Sequence, residues 1–235
     1  MTDFRLDWER PARTGASEAV LCEPKSAAQI DAIVEHAAAL GRRLLFTRLA
    51  PEHHARLAAG VRAALDYDVA SRTAILGGLP APRAAGRIAI VAGGTSDAAV
   101  AREAARTLAF EGEAATLIVD VGVAGLWRVM ERLPEIRAHR VVIAVAGMEG
   151  ALFSVLSGLV ACPVLAVPVS VGYGVGAGGQ VALNAALASC ASGLSVLNID
   201  NGFGAGVMAA KIARLAGAGR GEGGAGQAPP RDGTP

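Results

Sequence analysis

The chain reads as two α/β units. A small amino-terminal α/β domain spans residues 1–85. A larger three-layer domain spans 86–215, in which a parallel sheet carries helices on both faces. Three observations predict this. From Arg87 onward, short apolar strand-like runs alternate with helical runs, the pattern of βαβ units with right-handed crossovers. The run 150–199 holds no Asp, Glu, Lys, Arg or His, as strands buried on both faces and helices under an oligomer interface require. Finally, LPAPRAAG (79–86) is a Pro/Ala/Gly linker that divides the chain near residue 85.

Along the first domain, residues 1–20 are polar and read as irregular. Residues 26–41 predict a helix. Ser26 and Gln29 form a capping box, Ile30, Ile33, Val34 and Ala37 share one face, and Gly41 is a suitable stop. Strands AVLCEP and RRLLFTRL flank it. PEHHARLAAG (51–60) predicts one short helix, with Pro51 at a first-turn position.

In the second domain, strand GRIAIVAGG leads to helix SDAAVAREAARTLAFEG. Strand ATLIVDVG leads to AGLWRVMERLPEIRA, helical with a break at Pro134. Strand RVVIAVAG leads to helix GALFSVLSGLV. Strand PVLAVPV precedes a glycine-rich loop and helix QVALNAALASC, which Cys190 ends. LSVLNI is the last strand, before helix FGAGVMAAKIARLAG. The low-complexity segment 216–235 predicts a disordered tail.

Composition narrows the function. The formal net charge is +1 with no basic stripe, so a nucleic-acid partner is not expected. The first residues lack an apolar signal-peptide core. Cys22, Cys162 and Cys190 are far apart and form no CxxC pair, so neither a disulfide framework nor a zinc site is expected, and the expected location is cytoplasmic. Residues 151–170 are long enough to span a bilayer, but Pro163 and Pro168 break them into short elements, and no membrane partner is expected.

Ligands of open α/β sheets bind beyond the carboxyl ends of the strands. Here those ends carry GGTSD (93–97), Asp120 and Gly122, GMEG (147–150), SVGYG (170–174) and DNGFGAG (200–206). GGTSD fits either an ordinary helix cap, supplied by Ser96 or Asp97, or a cradle of N–H groups for a phosphate or carboxylate. It matches neither GxGxxG nor a P-loop. Glu149 is the only acid between Glu135 and Asp200. Its place between two glycines at a strand end suits a functional carboxylate better than a casual helix-start acid. Cys190 on residue type alone reads as a small core side chain. As a nucleophile it needs an activating partner, and its sequence neighbours supply none. The four histidines, His36, His53, His54 and His139, read as surface residues.

Taken together, GGTSD (93–97), AVAGMEGALFSVLSGLVACPVLAVPVSVGYG (144–174), and SCASG (189–193) followed by VLNIDNGFGAG (196–206) resemble the LarB family of nickel-pincer nucleotide cofactor biosynthesis. That family is related to class I phosphoribosylaminoimidazole carboxylases. The resemblance is strong over about 86–215 and looser over 15–80. It implies an aminoimidazole ribonucleotide carboxylase-like fold and a carboxylase/hydrolase. The implied substrates are nicotinic acid adenine dinucleotide and CO2, and the implied products are pyridinium-3,5-biscarboxylic acid mononucleotide and AMP. By the same resemblance Cys190 is the nucleophile and Glu149 the base. Gly94, Thr95, Ser96 and Asp97 hold phosphate or ribose. Ser170, Gly172 and Tyr173 line the pocket, with Asp200, Asn201 and Gly202 nearby. Magnesium near Asp97, no organic cofactor and a homo-octamer complete the expectation. The chain departs from the family pattern at Pro24, Trp127 and Val169 and in its small GVGAGG loop.

The implied chemistry is consistent with these residue types. A pyridinium carbon does not attack CO2. A thiolate added to the ring makes C5 an enamine carbon, which does. A base then removes the C5 proton, and rearomatisation expels the thiolate. The cationic ring itself favours the thiolate. Two other readings remain open: an aminoimidazole ribonucleotide carboxylase or mutase, whose substrate is already an enamine, and a non-catalytic nucleotide-binding module.

Overall fold

A computed structural model describes residues 4–83 and 87–218, with side chains to residue 215. Two sheets organise it: a mixed four-stranded sheet in the first domain and a parallel five-stranded sheet in the second.

The first domain opens with a short helix, α1 (Arg10–Thr14), where the sequence suggested irregular chain; Pro11 lies in its first turn and Gly15 closes it in the left-handed conformation. Strand β1 (Ala19–Leu21) leads to α2 (Ala27–Ala39) and β2 (Leu44–Thr47). The Ser26–Gln29 capping box forms, and the four predicted apolar residues are the buried ones. The helix expected over 51–60 is two pieces, α3 (Pro51–Ala55) and α4 (Ala59–Ala64). Between them the Ala58 N–H donates to the Asp31 carboxylate at 3.1 Å, a bond that no local pattern announces. The tract after α4, which carries no turn dipeptide, is the hairpin β3 (Leu65–Asp68) and β4 (Thr73–Leu76). The sheet order is β1-β2-β4-β3. One face packs Val20, Leu44, Phe46 and Ala74 under α2 and α4. The other turns Leu45 and Ile75 toward Phe110 and Phe203 of the second domain.

The second domain runs β5 (Ile88–Ala92), α5 (Ala98–Phe110), β6 (Ala115–Ile118), α6 (Leu126–Arg137), β7 (Val141–Ala146), α7 (Ala151–Leu159), β8 (Val164–Pro168), α8 (Gln180–Leu187), β9 (Leu194–Val196) and α9 (Gly202–Ala218). Its order is β6-β5-β7-β8-β9, with every pairing parallel. Central strands β5, β7 and β8 are wholly buried, as their unbroken apolar runs predict. Alternate residues face opposite layers. Ile88, Ile90, Val141, Ile143, Leu165 and Val167 pack with α5 and α9. Ala89, Val91, Val142, Ala144, Val164 and Ala166 pack with α6, α7 and α8.

Several expectations change. Pro134 lies inside α6 without ending it; so near the carboxyl end, its missing N–H costs one hydrogen bond rather than the helix. Helix α9 continues through Ala218, into the expected tail, while 219–235 and the linker residues 84–86 lie outside the described residues. Only His36 is a plain surface histidine. His139 is buried, its ring spanning the Glu135 carbonyl at 2.9 Å and Thr116 Oγ1 at 3.0 Å. His54 stacks on Tyr67 with centroids 4.0 Å apart, and His53 is half-buried.

The domains are tied together by arginines. Arg214 donates to Glu111 Oε2 and Glu113 Oε1, both at 3.0 Å, and to the Gly15 carbonyl. Arg106 reaches Asp66 Oδ2 at 2.9 Å, and Arg43 donates to the Phe110 carbonyl. The first sheet therefore sits against the α5–α9 layer, a placement that decides the surroundings of a cavity between the domains.

Candidate active site

The chain leaves β5 toward β6 on one side and returns to β7 on the other, so the order in which strands are added reverses between β5 and β7. At such a switch point the loops diverge and leave a crevice. A cavity of about 410 Å³ lies there. Gly93, Gly94, Ser96 and Asp97 enter it after β5, and Gly122 and Val123 after β6. Gly147 to Leu152 enter after β7, and Val171, Gly172 and Tyr173 after β8. Thr95 starts the short 3-10 turn Thr95–Asp97 but does not line the cavity.

Two glycines are required by contact. A Cβ on Gly147 would collide with the Val171 carbonyl oxygen, and one on Gly172 would stand 2.5 Å from the Gly176 carbonyl oxygen. The GMEG and SVGYG loops therefore close on each other, backbone to backbone. Met148, between Gly147 and Glu149, takes a left-handed conformation at φ 54°. That tight turn sets Glu149, an exposed residue, at the cavity wall just before α7.

Asp97 is buried, and its role differs from the expected helix cap. Its Oδ2 accepts from the Gly94 N–H at 2.8 Å, and the Gly147 N–H also bonds its carboxylate. No side-chain cap bond from Asp97 holds α5. Burial raises its pKa above the usual carboxylate value, while these two N–H bonds pull it down. Asp97 thus pins the β5 loop to the β7 loop. A carboxylate with two N–H partners keeps lone pairs for a cation, so Asp97 is the residue that would hold the expected magnesium. Among the described residues no three His, Cys, Asp or Glu side chains gather as a metal set.

Cys190 is not part of this cavity. Helix α8 stops at Leu187, earlier than the sequence suggested, and Cys190 lies exposed in the loop before β9. Ser189 turns the chain there by accepting from the Ala191 N–H at 3.2 Å. Its hydroxyl also bonds Ser154 on α7 at 2.7 Å, which holds the cysteine loop against the helix that Glu149 precedes. The other thiols are less accessible: Cys162 is half-buried, and burial pushes Cys22 up to about 12.

The remaining candidates divide. Ser170 and Asp200 line a second cavity of about 280 Å³, on the other side of Val171. The Ser170 N–H donates to Asp200 Oδ1 at 2.8 Å. Asn201 Oδ1 accepts from the Gly204 N–H at 2.7 Å, capping the start of α9. Gly202 packs against the Val100 carbonyl and Glu103. Neither Asn201 nor Gly202 lines either cavity. The second cavity also exposes residues that sequence reasoning missed: Arg48, His53 and Arg72 from the first domain, and Glu103 from α5. No local motif marks them, since the cavity exists only where the domains meet.

A family model for the AIR carboxylase matches residues 87–219, and a model for the LarB/PurE-like N-terminal domain matches residues 1–77. The chain belongs to the AIR carboxylase family. Its domain order is LarB-like: the LarB-type N-terminal domain followed by the carboxylase domain. An uncharacterized protein of Methanocaldococcus jannaschii is 46% identical over 132 residues, covering 55% of this chain. The chain spans about half the length of that curated relative. Membership supports a carboxylase-type function. Among the described residues, no helix is long and apolar enough to cross a membrane.

Proposed function

We propose that this chain carboxylates nicotinic acid adenine dinucleotide at C5 of its pyridinium ring and hydrolyses the phosphoanhydride. The products would be pyridinium-3,5-biscarboxylic acid mononucleotide and AMP, the first step toward a nickel-pincer cofactor. The observation that carries the reading is the convergence of GGTSD, GMEG and SVGYG on one cavity, in a chain whose first domain is LarB-like. In this reading the Ser96 N–H and hydroxyl, at the turn after β5, face phosphate or ribose, while the Gly94 N–H is taken by Asp97. Tyr173 and Val171 cover the ring.

Glu149 is the base. The reading requires the Cys190 loop, which does not line the cavity in the single chain, to reach the bound ring; there its thiolate adds, C5 attacks CO2, Glu149 takes the C5 proton, and rearomatisation returns the electron pair to sulfur. Electrons and atoms balance without an oxidant, and in the hydrolysis water attacks a phosphorus, supplying the oxygen and protons that the two released phosphates take up. The exposed thiol is free to react. The Ser154–Ser189 bond couples its loop to the helix behind Glu149. The exposed apolar side chains of Trp127, Tyr173, Val175 and Leu187 suit burial between copies in a homo-oligomer, to be checked by light scattering.

The test is incubation of the full chain with the dinucleotide and bicarbonate, followed by mass spectrometry. Wild type yields AMP and a dicarboxylated ring, and Cys190→Ala yields no carboxylation while keeping its circular dichroism spectrum. Full carboxylation by Cys190→Ala would refute the covalent step and favour a substrate that is already an enamine.

A further inference from the structure

The second cavity is not used by the chemistry above, yet it adjoins the first. Val171 lines both, and the first turns of α5 are divided between them: Asp97 faces one, Ala99 and Val100 the other. The two cavities are therefore neighbours, with Val171 between them.

Its walls carry an arrangement that folding alone does not favour. Strands β2 and β4 run antiparallel with Phe46 opposite Ala74, and the Leu49 N–H bonds the Arg72 carbonyl at 2.8 Å. Arg48 and Arg72 therefore flank the same end of that strand pair, and both line the cavity. Like charges so placed repel. Arg48 is offset by Glu23 Oε2 at 3.3 Å and donates to the Asp200 carbonyl at 3.2 Å. Arg72 makes no ion pair and no side-chain hydrogen bond among the described residues.

The backbone points the same way. Arg48, Arg72 and Asp200 all hold left-handed conformations, at φ 52°, 54° and 55°. Such strain in non-glycine residues concentrates at functional sites. Across the cavity the Glu103 and Asp200 side chains present acceptor oxygens, and His53 stands beside the arginines.

We propose that this interdomain cavity binds the nucleoside monophosphate half of the dinucleotide, with its phosphate on Arg72 and Arg48 and its ribose hydroxyls toward Glu103 and Asp200. The inference rests on the dinucleotide substrate of the preceding subsection. The first domain thereby completes a composite site whose other half holds the reacting ring. A planar guanidinium presents paired donors to phosphate oxygens, and an unpartnered one at a cavity wall breaks no protein contact to take a ligand.

The experiment titrates the full-length chain with AMP and, separately, with nicotinic acid mononucleotide, and measures KM for the dinucleotide. Arg72→Ala should weaken AMP and raise the dinucleotide KM by about tenfold or more, the scale of one charge-assisted bond. Affinity for nicotinic acid mononucleotide should stay within about twofold of wild type on the same scale. Arg72→Glu should be worse for AMP still. Thermal melts confirm folding, which an exposed side chain with no partner does not control. If wild type turns over the dinucleotide and both variants keep AMP affinity and KM, the subsite is overturned while the substrate assignment stands. If wild type does not turn over the dinucleotide but AMP binding depends on Arg72, the cavity is a nucleotide site and the substrate assignment fails instead. Absence of AMP binding to wild type overturns the subsite outright.

Discussion

Glu103 is the buried acid whose removal should be read most directly in stability. It is 6% exposed on α5, and its Oε2 accepts from the Phe203 N–H at 3.2 Å at the start of α9. Burial raises its pKa from 4.5 to about 7, against the lowering effect of the Phe203 and Gly202 N–H groups and of Arg48; Asp200 adds to the rise. Below pH 4.5 the carboxyl is protonated in both folded and unfolded chains. As pH climbs from there toward 7, the unfolded chain releases the proton and the folded one holds it. The unfolded state thus binds fewer protons, and stability falls with rising pH. At roughly 1.4 kcal/mol per pKa unit, the rise amounts to about 3 kcal/mol lost by pH 8. Glu103→Gln keeps an acceptor oxygen for Phe203 and cannot ionise. Urea unfolding of both proteins from pH 4 to 8 is the assay. The variant should gain on wild type by about 3 kcal/mol across that range, with most of the change between pH 4.5 and 7. A stability difference that does not vary with pH would show that Glu103 is not held protonated, and the reasoning about its burial would fail.

Two further outcomes follow from named contacts. A maleimide should modify Cys190 first, Cys162 slowly, and Cys22 only after unfolding, because Cys22 is fully buried and pushed up to about 12; peptide mapping over time reads the order, and early labelling of Cys22 would contradict it. Arg214→Ala should destabilise the chain by about 2–3 kcal/mol, since Glu113, almost completely buried, loses its bond to Nε and keeps only Arg83; equilibrium denaturation measures it, and a loss within about 0.5 kcal/mol would mean that the interdomain arginine is dispensable.

The parallel domain was legible because its signals are short-range. A buried central strand needs apolar residues on both faces, so β5, β7 and β8 announce themselves. The glycines of GMEG and SVGYG do so too, since only glycine tolerates the approach of Gly147 and Gly172 to facing carbonyls. The hairpin of β3 and β4 was hidden because its turn places Arg72, not glycine or asparagine, in the left-handed position. The end of α8 was hidden because Leu187, Ala188, Ser189 and Cys190 all suit a helix. It is the Ser154–Ser189 bond across to α7 that accompanies the departure of the chain.

In the second domain, local pattern is enough to place the strands and helices to within a few residues, to tell which of their faces are apolar, and to find the loops that gather at the carboxyl edge of the sheet. Hydrophobic period and glycine placement carry that information within a dozen residues of chain. Tertiary packing sets the rest: that Asp97 fastens two loops, that Cys190 stands outside the cavity Glu149 lines, and that Arg48 and Arg72 share a cavity with Glu103 and Asp200 at a domain boundary. Those relations join residues far apart in the chain, up to 152 positions for Arg48 and Asp200. They are set by how two packed layers meet, which leaves no mark in any local pattern.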